Sequence, residues 1–206
     1  MLTKEKKPFT EDKLTQYYNQ RAAKYKHNID ALQWQSEYSQ YARFEIIYEH
    51  ILPECKTLCD LGCGYGDFYN FLINTERQLN YTGIDITAKM IVAAQRAYPS
   101  GTFKCTDLNS IRQRHHFDTI IASGVFNLRM ENHDDYLYQH IQLMALSAKK
   151  QFIFNVLSDK TNRFSRSKEF VYYKKNEIET MLNKCQIKYR IIDDYLPNDM
   201  TIIANL

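Results

Sequence analysis

Leu58-Cys-Asp-Leu-Gly-Cys-Gly-Tyr-Gly-Asp-Phe68 is the stretch from which the fold follows. Lys56 to Asp60 reads as a short buried strand. The glycines at 62, 64 and 66 then let the backbone turn sharply and leave no side chain between it and a ligand. Phe68, Phe71 and Leu72 share one helical face, so a helix follows, and its first turn offers free amides and a partial positive charge. Strand, glycine turn and helix make the opening of a nucleotide-binding α/β unit.

Two cofactor classes use such an opening, and spacing separates them. A dinucleotide fingerprint, Gly-x-Gly-x-x-Gly, with glycines at 62 and 64 requires another at 67, where this chain has Asp67. Asp60-Leu-Gly62-Cys-Gly64-Tyr-Gly66 instead resembles the first motif of the class I S-adenosylmethionine (SAM) dependent methyltransferases. Further stretches stand in register with it. Leu79 to Ile84 reads as a second strand, and Asp85 at its end lies roughly twenty residues past the glycines, where an acid meets ribose hydroxyls. Tyr81-Thr-Gly-Ile-Asp-Ile86 resembles the family's second motif. Thr102 to Cys105 reads as a third strand leading into Thr106-Asp107-Leu108, which resembles the segment that reads adenine. Phe117-Asp-Thr-Ile-Ile-Ala-Ser-Gly124 resembles the fourth motif, whose end faces the transferable methyl group.

The resemblance implies a Rossmann-like three-layer α/β sandwich with a seven-stranded, mostly parallel sheet and an antiparallel last strand. It implies SAM as methyl donor, S-adenosylhomocysteine (SAH) as product, and a cofactor site drawn from Asp60, Gly62, Cys63, Gly64, Asp85, Ile86, Asp107, Leu108 and Ser123. It also suggests Arg43, from the helix ahead of the first strand, as a partner of the methionine carboxylate; a solvated surface arginine is the alternative.

Outside the motifs, Thr10 caps a helix running through Tyr17, Tyr18 and Arg21 towards Tyr25, and Ser36 starts a second that Pro53 stops. Residues 1–52 are thus expected to supply lid helices to a methyltransferase domain over 53–206. Tyr17 and Tyr18 either cover the cofactor, where an aromatic face attracts a sulfonium, or form a half-buried helix face. Trp34 is a core or lid anchor, or a wall of the acceptor site. After the fourth strand, Ser123-Gly-Val-Phe-Asn-Leu128 lacks the prolines with which base-modifying enzymes hold a flipped base. Phe126 and Asn127 are expected to line an acceptor pocket, Asn127 because a buried amide needs partners. Thr87 caps the next helix. Asn132 or His133 begins the helix carrying Tyr136, Leu137, His140, Ile141 and Met144, and Gln151 to Leu157 is the fifth strand. Ile187 to Ile192 and Thr201 to Ala204 complete the sheet. Lys160, Arg163, Arg166 and Lys168 form a basic loop that either selects an acidic acceptor or is a solvated cap. No catalytic residue is assigned.

Composition fits these expectations. With 206 residues and a formal charge of +3, one domain with a real core is indicated, and the charge is too small to imply nucleic acid. No apolar run approaches a membrane span, and the amino terminus lacks the apolar core of a secretion signal. Five cysteines without framework spacing suit a reducing compartment, so a cytoplasmic location is expected. Cys59 and Cys63 would need a third cysteine at 66 for a radical-SAM cluster, and Gly66 stands there; His115 and His116 have no zinc-type partners, so no metal is expected. The leading reading is methyl transfer to a small molecule. An RNA or protein methyltransferase and a non-catalytic SAM-binding protein are the alternatives.

Overall fold

From Thr57 onward, most strands are followed by a helix, and they assemble into one sheet with helices on both faces, as parallel strands joined by helical crossovers do. The computed structural model describes residues 8–25, 32, 36–111, 116–160 and 166–206. Trp34, Arg163 and His115 lie outside them.

The strands are β1 (Thr57–Leu61), β2 (Asn80–Asp85), β3 (Thr102–Cys105), β4 (Phe117–Ala122), β5 (Ala148–Leu157), β6 (Lys188–Ile192) and β7 (Asp199–Asn205). Their order is β3-β2-β1-β4-β5-β7-β6. β1 to β5 run parallel, and β7 lies between β5 and β6, antiparallel to both. The helices are α1 (Glu11–Tyr25), α2 (Glu37–His50), α3 (Asp67–Ile73), α4 (Ala88–Ala97), α5 (His133–Ser147) and α6 (Lys175–Lys184).

The central strands are buried on both sides, and the side-chain period of two divides their residues between two cores. Ile120, Phe152, Phe154 and Ile202 face Leu137, Ile141 and Met144 of α5 and Ile178 and Leu182 of α6. The alternate residues Ile121, Ile153 and Ile203 face Phe44 and Ile47 of α2, Phe68 and Leu72 of α3, and Ile91 and Ala94 of α4. The start of β1 is pinned separately, because the Asp118 carboxylate of β4 accepts from the amides of Lys56 at 2.9 Å and Thr57 at 3.0 Å.

Chain order reverses at β1, whose neighbours are β2 and β4, and a crevice opens there at the carboxyl ends of the strands. α1 covers that crevice. Just before α1, Phe9 bridges Met130, with the Phe9 amide donating to the Arg129 carbonyl at 2.8 Å and the Glu131 amide to the Phe9 carbonyl at 2.9 Å. Leu14 then packs on Leu128 and Met130. The helix over the crevice is thereby fastened to the segment leaving β4. α2, by contrast, is built into the sheet face, starting with a reciprocal Ser36–Ser39 cap.

Candidate active site

The glycine turn is held by contacts that only glycine permits. Gly62, Gly64 and Gly66 all have left-handed backbone, with φ of +72°, +54° and +84°. A methyl group added at Gly62 would stand 2.6 Å from Val125 Cγ2, so the segment leaving β4 lies directly on the turn leaving β1. Gly66 is the N-cap of α3. Between turn, strand ends and α1 is a cavity of about 320 Å³, lined among others by Asp60, Gly62, Cys63 and Gly64 from the first motif, Asp85 and Ile86 from the second, Asp107 and Leu108 from the third, and Ser123 from the fourth.

Asp85 does more than face the cavity. Its Oδ2 accepts from the Gly64 amide at 2.9 Å and its Oδ1 from the Thr87 amide at 2.7 Å, so one carboxylate joins the glycine turn to the start of α4. Thr87 is the N-cap of that helix but makes no side-chain capping bond. Burial raises Asp85 above its ordinary acidity constant, while the Thr87 and Gly64 bonds oppose that rise. Asp107 shows the reverse balance. The Ser110 hydroxyl leads the lowering of its pKa against burial, and the Ser110 amide, which donates to its Oδ1 at 2.7 Å, adds to it. Asp60 is 3 % exposed and accepts from the Tyr81 hydroxyl at 2.6 Å. Burial pushes its pKa up to about 7, against the Tyr81 bond and aided by the charges of Asp85 and Asp67.

The acceptor-side expectations are met unevenly. Tyr18 reaches the cavity from α1; Tyr17 does not, lying instead against Phe9 and under the Arg21 guanidinium. Phe126 is 3 % exposed and is a core residue packed edge-on to Phe154 and His140, so it backs the cavity without lining it. Asn127 is not among the lining residues either: its main-chain oxygen accepts from Val171, and among the described residues its buried Oδ1 has no hydrogen-bond partner. Ser123 is positioned by Asn155 of β5, fully buried, whose Nδ2 donates to Ser123 Oγ at 3.2 Å while its Oδ1 accepts from the Gly124 amide at 2.8 Å.

Arg43 corrects a sequence expectation. It lies 3 % exposed beneath the crevice and does not line the cavity. Its Nε donates to Asp199 Oδ2 at 2.7 Å, Nη2 bonds the same oxygen, and Nη1 donates to the Ser39 carbonyl at 2.7 Å. Its guanidinium is therefore engaged by α2 and β7. The described cations of the basic loop are likewise engaged locally: Lys160 Nζ donates to Asp193 at 2.7 Å, and Arg166 donates to the Asp159 carbonyl.

Several lining residues were missed from the sequence: Glu11, Asp12 and Thr15 of α1, Gln40 of α2, and Tyr136 and His140 of α5. Tyr136 and His140 stand four apart in α5 among apolar residues, a spacing that reads as one helical face and carries no sign that the face meets the crevice. The lining holds six carboxylates, Glu11, Asp12, Asp60, Asp67, Asp85 and Asp107, and among the described residues no lysine or arginine. Such a set repels a pyrophosphate and attracts a sulfonium and an ammonium, which suits the methyl donor and not a dinucleotide. Bound there, SAM supplies an activated methyl group; the chain supplies alignment, charge and exclusion of water.

Comparison with known proteins agrees. A family profile described as a methyltransferase domain matches residues 59–147. The methyltransferase-type protein Rv1506c of Mycobacterium tuberculosis is 27 % identical over 153 residues, covering 70 % of this chain and 90 % of that protein. The trans-aconitate 2-methyltransferase of Rhizobium etli is 30 % identical over 97 residues, 43 % of this chain and 38 % of that enzyme. Among solved structures, the magnesium protoporphyrin IX methyltransferase of Synechocystis PCC 6803 with bound SAM shares the fold with a TM-score of 0.64 at 18 % identity, over 97 % of this chain and 99 % of that one. The glycine turn and the acids at the strand ends fall within the residues that the methyltransferase profile matches, and together these findings support a class I SAM-dependent methyltransferase.

Proposed function

We propose that the protein transfers the methyl group of SAM to a small-molecule acceptor admitted beneath α1, acting in the cytoplasm. The observation that carries the proposal is the cavity itself: about 320 Å³, placed at the strand ends and roofed by a helix of the same chain, it suits a ligand the size of a metabolite. Five unpaired cysteines fit a reducing compartment. Among the described residues no helix is long and apolar enough to cross a membrane. α1, and not α2, is the lid in this reading, with Tyr18 as the aromatic it lays over the donor.

The donor is held in this reading by Asp85 at the ribose, Asp107 and Leu108 at the adenine, Ile86 beside it, and the bare backbone of Gly62 to Gly64 under the methionine, with Asp60 attracting the ammonium. The relatives differ in what their names say they act on, trans-aconitate in one case and magnesium protoporphyrin IX in another, so neither name transfers to this chain. Incubation with methyl-labelled SAM and a metabolite extract tests the proposal. Label in a small product supports it; label confined to RNA or protein rejects it.

Asp60 makes donor binding pH-dependent. The ammonium that SAM and SAH share favours the ionised carboxylate, whose pKa burial pushes up to about 7 in the free protein. SAH affinity, measured by calorimetry, is therefore expected to rise about tenfold from pH 6 to pH 8 by proton linkage. Asp60→Asn keeps an acceptor for the Tyr81 hydroxyl and should flatten that slope. An equal slope in the variant would assign the titration to another group.

A further inference from the structure

We propose that His140 is the proton acceptor of the methyl transfer, and that the acceptor molecule accordingly presents an N–H or O–H group and is uncharged or cationic. The inference rests on the SAM-dependent reading above and names the substrate class of that same site.

His140 projects from the middle of α5 into the cavity, and among the described residues it is the one histidine in the lining. Its Nδ1 lies 2.8 Å from the Tyr136 carbonyl. A carbonyl only accepts, so Nδ1 carries the hydrogen and the lone pair resides on Nε2. The ring is held between aromatic neighbours, Tyr136 with centroids 4.2 Å apart and Phe126 at 5.5 Å. Phe126 follows Val125, which rests on Gly62, so the imidazole stands behind the segment that packs on the glycine turn. A defined tautomer, a fixed ring plane and an unshared lone pair at the cavity are what a general base requires.

The charged and titratable groups around it fit that task. Burial lowers its pKa from the ordinary histidine value and keeps it neutral, while Glu11 on α1 and Asp107 after β3 favour the protonated ring. The hydroxyls of Tyr18 on α1 and Tyr136 on α5 are held protonated by burial and do not compete as bases. Among the carboxylates, Asp60 accepts from Tyr81, Asp85 from two main-chain amides and Asp107 from Ser110. Glu11 and Asp12 are exposed at the mouth.

In the step itself, the acceptor nitrogen or oxygen forms a bond to the methyl carbon as the carbon–sulfur bond breaks, its electron pair remaining on sulfur. The acceptor proton passes to His140 Nε2. The donor's positive charge thus reappears as an imidazolium between Glu11 and Asp107, and water takes that proton when the lid opens. A carboxylate acceptor needs no such base, and would enter a cavity with six acids and, among the described residues, no lysine or arginine to pair with it.

The test uses the full chain and its His140→Gln variant. Calorimetry with SAH reports donor binding; methyl-labelled SAM with a protein-free metabolite extract reports transfer; nitrogen NMR of the imidazoles reports the tautomer without any ligand. Expected are SAH affinity within about twofold of the parent, transfer slowed about a hundredfold, loss of the parent's acid limb below pH 6.5 at saturating SAM, where donor binding no longer contributes, and labelled products that are neutral or cationic on ion exchange. The His140 ring should carry its proton on Nδ1. The proposal is overturned by unchanged transfer, by a labelled carboxylate ester, by an Nε2–H ring, or by a tenfold loss of SAH affinity with transfer intact at saturating SAM, which would make His140 a donor contact. Absence of SAH uptake by the parent would instead reject the donor reading, and the tautomer would still decide the state of His140.

Discussion

Replacing Arg43 with methionine is expected to destabilise the fold by about 3–5 kcal/mol, the cost of stranding one partner of a buried ion pair, while leaving SAH affinity of the folded protein unchanged. Arg43 and Asp199 are 3 % and 1 % exposed and join α2 to the first residue of β7, far apart in sequence. The remaining carboxylate oxygen, Asp199 Oδ1, takes the Tyr195 hydroxyl, which also lies 2.7 Å from Thr201 Oγ1. Methionine fills the guanidinium's volume but leaves the Asp199 charge with only that tyrosine.

The pH dependence of this loss has a definite sign. Burial already raises Asp199 above the usual aspartate value, with Arg43 holding it down. Without Arg43 its folded pKa rises further above the unfolded one. Stability relative to the parent is then retained at acid pH, where Asp199 is protonated, and lost as pH rises through the folded value. Urea titrations at pH 5 and pH 8 should therefore show the larger deficit at pH 8. Asp199→Asn in the Arg43→Met background should recover much of it. A variant as stable as the parent would remove the pair from any structural role, and a selective loss of SAH affinity would restore the sequence reading of Arg43 as a carboxylate partner.

The structure turns Arg43 away from the cavity for a physical reason. Arginine on the helix before β1 was legible; its direction was not, because direction depends on Asp199, which stands 156 residues further on at the start of the last strand. The fold was more legible. Local glycine spacing, apolar runs and acids at strand ends are short-range signals, and through the family resemblance they led to a seven-stranded, mostly parallel sheet with an antiparallel last strand. Long-range consequences were hidden. Phe126 and Asn127 follow a strand whose end faces the cavity, yet the segment then pairs through Leu128 with Phe170 and through Met130 with Phe9, and Phe126 packs in the core. His140 was visible only as one member of a helical stripe, since helical spacing alone does not tell whether such a face meets core or crevice.

Asp85→Ala is expected to lower SAM affinity by about tenfold to a hundredfold, and also to lower stability by about 1–3 kcal/mol, since hydrogen bonds to a charged group contribute about 1.5–3 kcal/mol and an orphaned buried donor costs about 1–3 kcal/mol. Both losses come from one side chain. The sequence gives Asp85 a ribose, which would use the lone pairs left on its oxygens; the structure adds the Gly64 and Thr87 amides, which the carboxylate joins across the turn. The two effects separate by measurement. Thermal unfolding without ligand reads the loss of the two main-chain bonds. Calorimetry well below the variant's midpoint reads the ribose contact, and adenosine, which keeps the ribose but lacks the methionine, should lose nearly the same factor as SAM. If adenosine binding is unaffected while SAM binding falls, the carboxylate acts through the charge of the sulfonium or ammonium and not through the sugar. If neither falls once the protein is folded, Asp85 serves the glycine turn alone, and the acid at the end of β2 is a structural clasp on which the donor merely rests.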